Sequence, residues 1–162
     1  MLSKSQYVKF LYCQKRFWLY KNKYNEQTAP SDFAKHLFSQ GKEVGVYAYK
    51  YFPKGVLVEN AWQNPPAALA KTKELLKTQN YIYEAAFQYN NLIVFVDILE
   101  KNKDGSYNII EVKSSTNYRL SSIKKCIEKY KNYLSTPYVL HSKDIEVKDG
   151  LVFLPLYMTP FL

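Results

Sequence analysis

Two hydrophobic periods alternate along this chain, and each change of period marks an element. Between Tyr83 and Thr116, three apolar runs rich in β-branched and aromatic residues follow one another: 83–87, 92–100 and 107–116. Asn90-Asn91 separates the first two and Lys101-Asn102-Lys103-Asp104-Gly105 the last two, which predicts an antiparallel meander with tight polar turns. Before it the spacing is helical. Ser3 and Ser5 are cap candidates for a helix carrying Tyr7, Phe10 and Leu11, and a second helix carries Phe17, Trp18 and Leu19; together they predict a helical hairpin. Residues 22–30 read as a loop. Ser31-Asp32 then caps a long helix with Phe33, Leu37, Val44, Ala48 and Tyr51 along one side, ended by Phe52-Pro53. Val56-Leu57-Val58 reads as a short strand, and Pro65-Pro66 opens a helix reaching about Lys77. After the meander, Ser121-Ser122 begins a helix through Ile123, Ile127, Tyr130 and Leu134. Pro137-Tyr138-Val139-Leu140 reads as a fourth core strand, and residues 144–158 as a hairpin around Asp149-Gly150.

Charges interrupt the meander where the pattern calls for apolar residues. Strand side chains alternate, so Glu111 and Lys113 point the same way as Ile109, and Asp97 shares a side with Phe95. Three ionisable groups are costly to bury unpaired, so a shared polar cleft or a metal ion is the natural explanation. Two carboxylates on neighbouring strands offer oxygen ligands to Mg²⁺ or Mn²⁺, and a lysine beside one of them can orient water or offset charge on phosphorus. A solvated strand face with an Asp97–Lys113 cross-strand pair gives the same letters.

At 162 residues the chain is expected to form a single domain, 1–162, with no repeat or linker to divide it. The formal charge of +9, from 23 basic and 14 acidic residues, favours an anionic partner such as nucleic acid, although richness in Lys and Asn also arises from genome composition. Sixteen Tyr serve a core or a base-stacking surface equally well. Lys15 and Arg16 between the first two helical patterns, and Lys124, Lys125, Lys129 and Lys131 on the late helix, are candidates to touch a phosphate backbone or are simply solvated. The two cysteines, Cys13 and Cys126, are too few for a disulfide framework or a metal site, and no apolar run approaches membrane-spanning length. A cytoplasmic protein without a membrane partner is expected.

Asp97 followed by Glu111-Val112-Lys113 resembles the PD-(D/E)XK nuclease superfamily, and within it the RecB-like group that includes the CRISPR-adaptation exonucleases. The Ser114-Ser115-Thr116 continuation and the amino-terminal Ser3-Lys4-Ser5 and 13–19 segments are similar to that group as well. The resemblance implies a restriction-endonuclease-like core of α/β (α+β) class: helix, three-stranded antiparallel meander, helix, strand. It also implies Asp97 and Glu111 as metal ligands, the Val112 carbonyl completing the shell, Lys113 as the catalytic lysine, and Glu84 where many relatives carry another acid. The cofactor would be Mg²⁺ or Mn²⁺, the substrate DNA with RNA left open, and the setting sometimes a complex with a helicase or another protein subunit.

Three departures accompany the resemblance. The further cysteines of an iron–sulfur site are missing, so no cluster is expected and Cys13 reads as a small buried residue. In the superfamily the helix before the sheet often carries a His four places after a Gly; here Gly41 is followed by Gly45, with Glu43 the first substitute and His36 a more distant one. On the late helix the pattern Gln-x-x-x-Tyr reads Cys126 to Tyr130. The expected function is a metal-dependent nuclease hydrolysing phosphodiester bonds. The alternative is a catalytically silent nucleic-acid-binding or structural module of the same fold, acting as a subunit of a larger complex.

Overall fold

The computed structural model describes residues 1–115 and 117–162, and the backbone alone of Ser122. Thr116, the last residue of the Ser114-Ser115-Thr116 continuation, lies outside the described residues, as does the side chain of Ser122. The elements run β1 (Leu2–Ser3), α1 (Lys4–Tyr12), α2 (Gln14–Asn22), α3 (Asp32–Tyr49), β2 (Val56–Leu57), α4 (Pro65–Thr78), β3 (Tyr81–Tyr89), β4 (Leu92–Lys101), β5 (Tyr107–Val112), α5 (Ser121–Tyr130), β6 (Tyr138–His141), β7 (Glu146–Lys148) and β8 (Leu151–Pro155). This is a mixed α/β architecture.

Helix starts follow local capping chemistry. Ser3 Oγ accepts from Gln6 N at 3.3 Å while Gln6 Oε1 accepts from Ser3 N at 3.2 Å, a reciprocal capping box. The helical pattern breaks at Cys13, which is extended and whose sulfur accepts from Arg16 N at 3.4 Å to start α2. Cys13 is therefore exposed and employed as a cap, not buried as its residue type suggested. Ser31 Oγ caps α3 and Asn64 Oδ1 caps α4, with Pro at the first helical positions of α4.

Eight strands form one mixed sheet among the described residues, in the order β2-β3-β4-β5-β6-β8-β7, with β1 paired to β4. β3, β4 and β5 are the antiparallel meander, and Asn90 adopts a φ of 50° in the first turn. The α5 crossover returns the chain so that β6 lies parallel to β5, with Ile110 opposite Tyr138. The late hairpin turns through Asp149 and Gly150, both left-handed, and its second strand lies parallel to β6. β1 was not expected: two residues are too short to show a period, and only their parallel register with Leu92 and Ile93 makes them a strand.

Both faces of the sheet are covered. On one side Ile82, Ala86, Leu99, Ile109 and Val139 pack with Ala68 and Leu75 of α4 and Ile123 of α5. On the other, Tyr83, Ile98, Ile110, Leu140 and Leu154 pack with Ala48 and Phe52. Buried Thr72 ties α4 to the sheet, its Oγ1 accepting from Ala86 N at 2.9 Å. Two expectations are corrected here. Only the last turn of α3 reaches the sheet, so Phe33 and Leu37 stay 72% and 46% exposed, although the stripe reads as a core face. Leu134 lies beyond the end of α5, beside Tyr107 in an isolated bridge. Among the described residues no helix is long and apolar enough to cross a membrane.

Candidate active site

Register brings three carboxylates into one transverse row. Tyr83 faces Ile98 and Ala85 faces Val96, which leaves Glu84 opposite Asp97. The β4–β5 ladder stops at Ile98 and Ile110, and continuing its register sets Glu111 opposite Asp97 on the other side. Here the sheet forks. The β4 edge that faces β5 at Ile98 is taken by β1 at Leu92 and Ile93, since the opposite edge belongs to β3. The first amide beyond the fork, Val112 N–H, finds its acceptor in Asp97 Oδ2 at 2.7 Å.

Glu84 has a φ of 55°, a left-handed conformation inside a strand. A non-glycine residue there costs about 1–2 kcal/mol. The flanking pairs keep the same register on both sides, so no residue is inserted and no bulge requires it.

The electrostatics follow from burial first and then from the crowding of like charge. Burial first, then Glu111 and more weakly Glu84, raise the Asp97 carboxyl from 3.8 to about 7, against the Val112 amide and the Lys113 ammonium. The Glu84 carboxyl is also raised, by burial and by Glu111, while the Tyr49 hydroxyl opposes the shift. Lys113 Nζ donates to Glu111 Oε1, both side chains being about one-fifth exposed. The ion pair is thus Glu111 with Lys113 and not a cross-strand Asp97–Lys113 pair. On α5 the Cys126 thiol is pushed up by burial and then by Glu111, so this cysteine borders the row and is not poised as a thiolate.

One residue of the site was invisible in the sequence pattern. Tyr49, in the last turn of α3, donates from its hydroxyl to Glu84 Oε1 at 3.1 Å and stacks on Tyr83 with ring centroids 4.2 Å apart and planes 6° apart. Tyr83 donates to the carbonyls of Tyr49 and Phe52, clamping the end of the helix to β3. A Cβ at Gly55 would lie 2.2 Å from the Tyr83 ring, so glycine is required for that clamp. Gly41 and Gly45 lie on the same side of α3, their Cβ directions meeting Ser114 Oγ at 3.7 Å and the Tyr49 hydroxyl at 4.0 Å. The spacing 41, 45, 49, which sets the three on one side of the helix, is the one signal that could have pointed to Tyr49.

The remaining candidates stand elsewhere. Glu43 is exposed, accepts from Ser39 Oγ at 3.2 Å and takes no part in the carboxylate row; the helix presents Tyr49 instead. His36 is exposed. Lys15 and Arg16 are exposed on α2. Lys124 is paired with Asp149 of the late turn, Lys125 is exposed, and Tyr130 is 39% exposed with the Lys129 ammonium 5.2 Å from its ring. Among the described residues no set of three or more His, Cys, Asp or Glu is drawn close enough to hold an ion. The donor set of Glu84, Asp97 and Glu111 is all oxygen, with mutual repulsion that a hard divalent cation relieves, so it fits Mg²⁺ or Mn²⁺ in kind. No family model matches the chain, and neither a curated protein nor a solved structure matches it.

Proposed function

We propose that the protein is a Mg²⁺- or Mn²⁺-dependent nuclease acting on phosphodiester bonds of DNA, with a restriction-endonuclease-like core in one domain. The observation that carries the reading is the row of Glu84, Asp97 and Glu111 at the fork of the sheet, with Lys113 beside Glu111. A carboxyl raised to about 7 by burial and by neighbouring carboxylates marks a functional site more often than a structural one. The resemblance of Asp97 and Glu111-Val112-Lys113 to the PD-(D/E)XK superfamily points the same way, as does the order of α3, the meander, α5 and β6.

In this reading Asp97 and Glu111 hold the cation, with Glu84 supporting them. The bound ion supplies Lewis acidity toward a phosphate oxygen and lowers the pKa of an attacking water. Lys113 contributes the ammonium that orients the water and offsets charge on phosphorus, and Glu111 keeps that ammonium at the site through their contact. The Val112 N–H donates one hydrogen bond to Asp97 Oδ2 and so fixes that carboxylate, whose other oxygen would be available to a cation. Exposed Lys15, Arg16 and Lys125 supply positive surface for the DNA backbone.

A second reading, a silent binding module, is favoured by the absence among the described residues of three ligands at ion-holding distance, and by the place of Glu43 away from the row. Calorimetric titration with Mn²⁺ alongside cleavage of labelled duplex and single-stranded DNA separates the two. Binding with metal-dependent cleavage is expected; metal binding without any cleavage supports the silent module, and the absence of metal binding overturns the nuclease reading.

A further inference from the structure

The left-handed Glu84 calls for a cause. Its neighbours in β3 and β4 stay in register on both sides, so the ladder does not demand the conformation. Elsewhere in the described chain, the other non-glycine residues with positive φ are Lys54, Asn60, Asn90 and Asp149, all outside the strands. Glu84 is the exception in lying inside one. Its carboxylate is also held by a helix, accepting from the Tyr49 hydroxyl at 3.1 Å.

Tyr49 is itself well supported. Its ring lies flat on Tyr83, 4.2 Å away, and the Tyr83 hydroxyl donates back to the Tyr49 carbonyl at 3.2 Å. Tyr83 cannot retreat, because Gly55 backs its ring so closely that a single Cβ would overlap it. Gly45, one turn before Tyr49, leaves the hydroxyl room, with a Cβ direction that ends 4.0 Å from it. The series Gly55, Tyr83, Tyr49, Glu84 therefore runs from a loop through two stacked rings into the carboxylate row.

We infer that Tyr49 is the positioning residue of this site: clamped by Tyr83 and Gly55, it holds Glu84 in its strained left-handed conformation so that the Glu84 carboxylate stays beside Asp97 and Glu111 for cation binding. The inference rests on the proposed metal-dependent reading. Tyr49 touches neither substrate nor ion in this assignment and works through Glu84 alone. The strain is retained because releasing it moves the carboxylate out of the row.

The test is a set of variants, Tyr49→Phe, Glu84→Gly, Glu84→Gln and Tyr49→Phe with Glu84→Gly, read by Mn²⁺ titration and by thermal unfolding with and without Mn²⁺. Tyr49→Phe keeps the stacked ring and loses only the hydroxyl. It should weaken Mn²⁺ binding by about ten- to a hundredfold, as removal of an outer-shell partner does, with the metal-free midpoint nearly unchanged. Glu84→Gly should lose most of the Mn²⁺-dependent stabilisation and yet melt about 2–4 °C higher than wild type without metal, because glycine adopts positive φ freely. Glu84→Gln, which keeps the side-chain length and the strain, should lose Mn²⁺ affinity without that gain. In the double variant the Tyr49 change should add no further loss. Wild-type Mn²⁺ affinity in Tyr49→Phe, an equal further loss in the Glu84→Gly background, or a Glu84→Gly protein no more stable than wild type would each overturn the assignment while leaving the nuclease reading standing. Failure of the wild type itself to bind Mn²⁺ would overturn both, and is distinguished by appearing before any variant is made.

Discussion

A carboxyl raised from 3.8 to about 7 still holds its proton in the folded chain over a pH range where the unfolded chain has released it. The folded state then binds more protons than the unfolded one, so the Asp97 contribution to stability falls as pH rises from about 4 to about 7 and is flat above. For the cation-free protein the cost at full ionisation is roughly 2–4 kcal/mol. Urea unfolding at pH 5 and pH 8 should show the higher midpoint at pH 5, and Asp97→Asn should flatten the difference and exceed wild type at pH 8. A wild-type midpoint that rises with pH would mean that burial and the neighbouring Glu111 and Glu84 do not raise the Asp97 carboxyl. Lys113→Ala addresses the chemistry at the same scale. Cleavage should fall by about 10²–10³-fold, DNA affinity should hold, and added Mn²⁺ should not restore the rate; Mn²⁺ rescue would assign the lysine to metal binding.

At the level of elements, two contacts hold the frame of the site, and neither involves a charged residue. Thr72 of α4 is buried, and its hydroxyl accepts the Ala86 amide of β3 two residues beyond Glu84. Thr72→Val keeps the shape but orphans that amide, so a loss of about 1–3 kcal/mol is expected in chemical denaturation. Gly55→Ala acts from the other face. Its methyl meets the Tyr83 ring, and the Tyr83 clamp on the end of α3 must shift, at about 1–3 kcal/mol for overpacking. Both variants should lower the unfolding midpoint. Gly55→Ala should in addition weaken Mn²⁺ binding, because it displaces the ring on which Tyr49 rests, and equal Mn²⁺ affinity in the two variants would disconnect that ring from the row.

Across the whole molecule the formal charge of +9 is unevenly engaged. Lys124 is paired with Asp149 and Lys113 with Glu111, whereas Lys15, Arg16 and Lys125 are exposed. If the surface carries DNA, affinity should fall steeply as salt rises, and replacing Lys15 and Arg16 by Ala should reduce the slope by about 2 if both meet phosphates. Fluorescence anisotropy with a labelled oligonucleotide at several salt concentrations measures it. An unchanged slope would remove α2 from the interface.

The sequence alone determined whatever depends on neighbours along the chain. The period-2 runs, Asn90-Asn91 and Asp149-Gly150 dictate the meander and the late hairpin, and Ser3, Ser31 and Pro65-Pro66 dictate helix starts, because turns and caps are satisfied within a few residues. Asp97, Glu111 and Lys113 were legible as misplaced charges in apolar strands for the same reason. What tertiary structure decided is everything that needs two distant segments in register. A two-residue β1 exists only by pairing with β4, Cys13 caps α2 at an exposed position, and Phe33 and Leu37 stay exposed because the sheet is met by the end of α3. The place of Tyr49 beside Glu84, and of Glu43 away from it, depends on how that helix end is clamped by Tyr83 across 34 residues of chain. No period encodes such a clamp, since its energy comes from a stacked ring and a missing Cβ that meet only once the chain has folded.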